Sequence, residues 1–269
     1  MIRLFALTIL IGFQVLTTKA QYGKQIPAEK PALVIFIIVE KMRYDYLSRY
    51  WQKFSDNGFK KLIKEGTTCK NADYYHLFTQ GPPGLATIST GANPSVHGIV
   101  SEYWQKRLQK KKIFCVDDDD FQTVGGNPKQ GRYSPQYLVS STIGDELKLS
   151  NNHQSKVIGI SLKHYSAILP SGHIADAAYW FDYTTGAWIT SSFYMDKLPA
   201  WVNKFNRKQL PDVYFQKEWN TLLPLKEYTE SQPDDNPYEK GLGVNQRTFP
   251  YDIKTLGMLN KTEKNYEIL

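Results

Sequence analysis

Ala32 to Val39 reads Ala-Leu-Val-Ile-Phe-Ile-Ile-Val. An unbroken, largely β-branched run of this length, bounded by Pro31 and Glu40, predicts a central strand of a parallel sheet, buried on both faces. Helices must cover such a strand on each side, so the run commits the chain to an α/β architecture. Glu40 follows at once. In open α/β sheets ligands gather at the carboxyl ends of strands, so Glu40 is either a carboxylate facing a site or a solvated strand end.

Ahead of the run, Arg3 supplies a positive charge, Leu4 to Leu16 an apolar stretch, and Thr18-Lys19-Ala20 a small-x-small cleavage site before Gln21. Together they read as a secretory signal peptide over residues 1–20. The stretch is too short for a spanning helix, and no Cys stands at the cleavage point, so a membrane anchor is not expected. Residues 21–269 then form an exported domain, periplasmic or extracellular. Cys69 and Cys115, an even pair in an exported chain, predict one disulfide, with two buried free thiols as the alternative. The formal net charge of +7 suits anionic small molecules and is too diffuse to indicate nucleic acid. Lys106, Arg107 and Lys110 to Lys112, followed closely by Asp117 to Asp120, predict the two arms of an exposed hairpin, with the acidic arm a solvated loop.

Further along, apolar positions from Tyr44 to Glu65 have helical spacing in two pieces, broken at Asp56-Asn57-Gly58 and stopped at Gly66. From Phe78 to Gly98 the chain predicts a Gly/Pro-rich turn at Gly81 to Gly84, a short helix ending at Gly91, and a second turn at Asn93-Pro94. A turn opening on a helix N-terminus offers free N–H groups and the positive end of the helix dipole to an oxyanion; an ordinary loop–helix connection is the plainer reading. Lys156 to Leu162 predicts a second buried strand ending at Lys163. Ala177 to Tyr183 and Ala187 to Tyr194 predict a hairpin around Thr184-Thr185-Gly186, Leu198 to Phe205 a short helix, and 212–243 long surface loops. His76, His97, His153, His164 and His173 lack paired metal spacing and read as hydrogen-bonded or surface histidines.

Several of these segments carry a likeness to a known family. Val39-Glu40-Lys41-Met42-Arg43-Tyr44-Asp45-Tyr46, Gly58 to Leu62, Ala86 to Gly91 with Pro94 to Gly98, Val157 to Pro170, Trp180 to Gly186 and Leu198 to Asn203 resemble the PafA-type periplasmic alkaline phosphatases. These belong to the type I phosphodiesterase/nucleotide pyrophosphatase branch of the alkaline phosphatase superfamily. The resemblance implies the N-terminal portion of an alkaline-phosphatase-like fold: a mostly parallel sheet flanked by helices, with insert-like loop and hairpin regions at about 103–155 and 171–250.

It also implies a two-zinc phosphohydrolase, and each role can be placed by position. The metal-binding Asp of the family's Asp-Gln-Met-Arg corresponds to Glu40 in Glu40-Lys41-Met42-Arg43, one methylene longer. The nucleophilic threonine, ten residues before the glycine matching Gly91, corresponds to Gly81, which offers no oxygen. Thr79, two residues upstream, would have to slide to substitute for it. The phosphate-binding Asn corresponds to Glu102, the Lys is retained as Lys163, and the Arg corresponds to Tyr165. The family's remaining Asp and His zinc ligands fall beyond Leu269, so zinc is not expected to be fully bound. The expectation is a degenerate phosphate-ester hydrolase scaffold whose partner is at most a phosphorylated or other anionic small molecule. An active zinc-dependent phosphomonoesterase or phosphodiesterase is the alternative.

Overall fold

The computed structural model describes residues 31–242, 245–260, 263, 264 and 266. The segment read as a signal peptide lies outside them. The chain divides into two units, residues 1–42 and 43–269.

In the first unit the described residues overturn the expectation of a buried strand. Ala32 to Val39 enters no strand ladder among the described residues. Leu33 is 75% exposed and Ile37 74%. A β-branched run has the composition for a sheet centre, but burial needs neighbouring strands to take its N–H and C=O groups and covering elements for both faces. Glu40 sits in a turn at the end of this run and is exposed.

The second unit begins with α1 (Asp45–Arg49), a 3-10 turn (Trp51–Lys53) and α2 (Phe59–Glu65). The break between the pieces falls where the sequence placed it: Gly58 precedes α2 at φ +79°, and the Gly66 N–H closes it by donating to the Leu62 carbonyl at 2.9 Å. Next come α3 (Pro82–Thr90) and α4 (Pro94–His97). Gly91 ends α3 in the left-handed region at φ +68°, as its position after the periodic run predicts. Two details differ. Gly84 is a residue of α3 rather than of the turn, and Asn93-Pro94 opens a helical turn because Pro is favoured at a first helical position.

The sheet uses β3 (Thr123–Val124), β4 (Ile158–Ser161), β5 (Ala177–Asp182) and β6 (Ala187–Ser191) in the order β3-β6-β5-β4. It is mixed. Only β4 and β5 run parallel, Ile158 opposite Ala177 through Ser161 opposite Trp180. The β5/β6 hairpin turns at Thr184-Thr185-Gly186 as expected, and every residue of β5 is buried. By contrast β4 is an edge strand. Among the described residues it pairs only with β5, and Ile158 and Ile160 remain more than half exposed, so the expectation of a second buried strand fails on one face. The other face is packed tightly. α5 (Ile143–Ser150) precedes β4, and α6 (His164–Ser171) crosses back from β4 to β5. A Cβ at Gly159 would lie 2.3 Å from the Ala167 carbonyl oxygen, so only glycine allows this approach of α6 to the strand. α3 packs on α6 in turn.

The charged hairpin also departs from expectation. Its arms are β1 (Tyr103–Lys106) and β2 (Lys111–Phe114), both basic, and the acidic run follows β2. Asp118 is buried against the Ser134 hydroxyl, while exposed Asp119 pairs with Lys111 at 3.3 Å and Arg132 at 2.8 Å. Nor do the cysteines join. Cys115 is fully buried beside β2 and Cys69 is exposed, and both thiols are free. An even count records no distance, and a bridge needs the two Cα atoms within about 7 Å. The carboxyl-terminal part adds α7 (Ala200–Asn206), α8 (Leu210–Tyr214), β7 (Glu218–Trp219), β8 (Tyr251–Asp252), α9 (Ile253–Gly257), β9 (Met258–Asn260) and β10 (Glu263–Lys264). Phe181, Phe215, Tyr251, Ile253, Leu256 and Tyr266 form its apolar cluster. Among the described residues no helix is long and apolar enough to cross a membrane.

Candidate functional site

The packing of α3 on α6 brings three of the singled-out positions together. Gly81 is the residue before α3, at φ +57° and ψ −130°, a backbone conformation that glycine adopts without strain. A Cβ built on it would point toward the Tyr165 hydroxyl, 3.8 Å away. Tyr165 is buried in the first turn of α6. Lys163 sits between β4 and α6, and its ammonium lies 5.6 Å from the centre of the Tyr165 ring. The strand end, the helix start and the turn before α3 therefore converge on one point.

The oxyanion cradle at that point is thin. Pro82 and Pro83 fill the first two positions of α3 and have no N–H to donate. Thr79 is exposed, and its carbonyl oxygen abuts Gly84 so closely that a Cβ there would lie 2.0 Å from it. This contact holds the Thr79 backbone against the first turn of α3, upstream of position 81. Glu102 is exposed just before β1, and its carbonyl accepts from the Cys115 N–H at 2.9 Å. The side chain adds negative charge near Cys115, whose thiol is pushed up first by burial and then by Glu102. Phe114, next to Cys115, packs 6.1 Å from Tyr165 and 4.9 Å from His164. His164 is held neutral. Burial, then the Lys163 charge, lowers it to about 4, and its Nδ1 accepts the Tyr165 N–H at 2.9 Å.

The family model for type I phosphodiesterase/nucleotide pyrophosphatase matches residues 34–243. A protein of Myroides odoratus named calcium-transporting ATPase is 44% identical over 90% of this chain and 43% of its own length. Alkaline phosphatase PafA of Elizabethkingia meningoseptica is 40% identical over 90% of this chain and 45% of its own. The crystal structure of wild-type PafA superposes with a TM-score of 0.77 at 42% identity, covering 80% of this chain and 42% of that one. The chain belongs to the type I phosphodiesterase/nucleotide pyrophosphatase family. It spans less than half the length of these relatives.

Zinc is the group the family likeness implies, and the described residues do not by themselves assemble the donors of a two-zinc centre. Gly81 has no side-chain oxygen, and among the described residues no three His, Cys, Asp or Glu side chains gather where they could hold a metal ion.

A polar chain inside the family's helix segment escaped the sequence reading. Thr87 on α3 bonds His76 Nε2 and His97 Nε2, each at 3.0 Å. His97 Nδ1 accepts the Ile99 N–H at 3.1 Å, so its proton sits on Nε2 and is donated to Thr87. The Thr87 hydroxyl is then free to donate to His76, whose proton falls on Nδ1, a buried atom with no partner among the described residues. Burial, then the neighbouring His76, lowers His97. Thr87→Val should cost about 1–3 kcal/mol, because shape is kept while a fully buried imidazole loses its partner. A urea midpoint identical to wild type would show that the network contributes nothing.

Proposed function

We propose that this chain is a non-hydrolytic member of its family, a phosphate-ester hydrolase scaffold whose nucleophile position is Gly81. That one residue carries the reading. Covalent phosphoryl transfer needs an oxygen at the mouth of α3, and glycine supplies only a hydrogen there. Two further positions support it. Glu102 brings negative charge where the family likeness expects an amide, and Tyr165 replaces a guanidinium that would clamp two oxygens at once. Lys163 is the remaining cation for a phosphorylated or other anionic ligand. With Pro82 and Pro83 unable to donate, such a ligand is held weakly and mainly by charge. The leader read over residues 1–20 supports an exported protein.

Purified protein with added zinc, assayed on an aryl phosphate and an aryl phosphodiester, should turn over neither faster than a metal-only blank. Robust turnover abolished by Thr79→Ala would overturn the proposal in favour of an active zinc-dependent phosphatase using the upstream threonine. In the same preparation, Lys163→Ala should weaken retention of inorganic phosphate. If neither form retains phosphate, the anion-binding part of the proposal fails while the non-hydrolytic part stands.

A further inference from the structure

Fourteen residues between Trp219 and Tyr251 line an open-sided cleft of about 640 Å³, and no residue of the Gly81, Lys163 and Tyr165 group takes part in it. Its back is aromatic. Trp219 in β7 lies 5.3 Å from Phe249, edge to face, and 5.4 Å from Tyr251 in β8 at an interplanar angle of 31°. Phe249 meets Tyr251 at 4.8 Å. These rings touch one another, so they form a wall rather than a box around an empty centre. Tyr251 is buried behind, whereas Trp219 is 49% exposed, which leaves indole surface open to the cleft it lines.

The polar lining is of mixed character. Asn220 and Gln232 contribute amides, Asp234 and Glu239 carboxylates, and Arg247 a guanidinium. The positions of two of them are fixed. Arg247 is tied to Asp235 at 3.1 Å, and Asp234 accepts the Phe249 N–H at 3.0 Å. A free anion would face two carboxylates here. An organic cation would face the tethered guanidinium and would find no aromatic box to enclose it. A purely apolar ligand would strip water from amides and carboxylates without replacing it.

One ligand class matches all of these groups. Each hydroxyl of a sugar both donates and accepts, which suits acceptors, donors and amides set around one space. The C–H face of a sugar ring suits a half-open indole. The volume lies within the ordinary range for small-ligand sites. We propose that this cleft binds a neutral carbohydrate ring, stacked on Trp219 and hydrogen-bonded by Asn220, Gln232, Asp234, Glu239 and Arg247.

Titration calorimetry of the full chain with maltose, cellobiose and N,N′-diacetylchitobiose tests this directly. Saturable binding of at least one is expected, weakened about tenfold by Trp219→Ala. Because Trp219 also packs on Phe249 and Tyr251, the exposed side chains are tested in parallel: Glu239→Gln and Asn220→Ala should each weaken binding at an unchanged melting temperature. Retention on insoluble cellulose or chitin distinguishes a polysaccharide source from a free sugar. No heat with any of the three disaccharides, or binding unchanged in all three variants, overturns the proposal. Saturation by choline alone would assign the cleft to organic cations and overturn it as well.

Discussion

Alanine at position 145 is expected to lower the stability of the chain by about 3–5 kcal/mol. Asp145 is buried at the start of α5 and its two oxygens serve four donors. Oδ1 accepts the backbone N–H groups of His173 at 2.8 Å and Ile174 at 3.0 Å. Oδ2 accepts the Thr142 N–H at 2.9 Å and lies 3.1 Å from His173 Nδ1. Thr142 reciprocates by capping the Asp145 N–H at 3.1 Å. The carboxylate thus fastens α5 to the loop that leaves α6. That loop passes so close that a Cβ on Gly172, already at φ +81°, would lie 2.3 Å from Asp145 Oδ2. Alanine would leave those four donors without the carboxylate that accepts from them.

The same group sets a pH window. Burial pushes the Asp145 carboxyl up, but the hydrogen bond from His173 and those from the Thr142 and Ile174 backbones outweigh it and bring it down to about 2. Because its folded value lies below the unfolded one, its contribution, about 2 kcal/mol, is complete above roughly pH 4 and is lost as the pH falls toward 2. His173 moves the opposite way: its hydrogen bond to Asp145 raises it against the effect of burial. Its contribution is complete below about pH 6.5 and disappears as the pH rises through the folded value. Stability from this pair should peak between those limits, and Asp145→Asn should flatten the acid limb of a urea-midpoint profile. An unchanged acid limb, or a midpoint for Asp145→Ala equal to wild type, would show that the four contacts do not hold α5 in place.

What the sequence made legible was local punctuation. Gly58, Gly66 and Gly91 bound α2 and α3 because glycine enters or ends a helix at low cost, and Thr184-Thr185-Gly186 marks the β5/β6 turn for the same reason. Partnership was not legible. Ala32 to Val39 and Ile158 to Ser161 have the composition of central strands, yet the first is exposed and unpaired among the described residues and the second is an edge. Composition states which residues would gain from burial and says nothing about whether a neighbour arrives. Cys69 and Cys115 failed for a related reason, since parity carries no geometry. At the site, the positions of Gly81, Glu102, Lys163 and Tyr165 came from resemblance, while the approach of Gly81, Lys163 and Tyr165 to one another required the packing of α3 on α6. The chain from His76 through Thr87 to His97 follows neither helix nor strand period, so no spacing rule could have joined those three. Trp219 and the cleft it lines lie in a Pro- and charge-rich stretch whose composition suggested only surface loops.

Placing threonine at position 81 is expected to leave aryl phosphate hydrolysis undetectable, although the family likeness puts the attacking hydroxyl there. Space is not the obstacle, because the nearest atom to a new Cβ is the Tyr165 hydroxyl at 3.8 Å. The backbone is one obstacle. At φ +57° and ψ −130° a β-branched residue is strained by about 1–3 kcal/mol, so the turn would shift or the helix start would fray. Activation is the other. A threonine hydroxyl is a weak nucleophile until a base or a metal lowers its proton affinity. His164, the chain neighbour of Tyr165, is ringed by Phe114, Tyr133 and Tyr165 and spends its Nδ1 lone pair on the Tyr165 N–H. Tyr165 does not supply the second charge that a guanidinium would bring to a transferring phosphoryl group, and by the family likeness Glu102 stands where an amide donor is expected. The expected result for Gly81→Thr is a lowered melting temperature with turnover at the metal-only blank. Turnover clearly above that blank would show that the missing oxygen alone had silenced the site, and that Glu102 and Tyr165 are compatible with phosphoryl transfer.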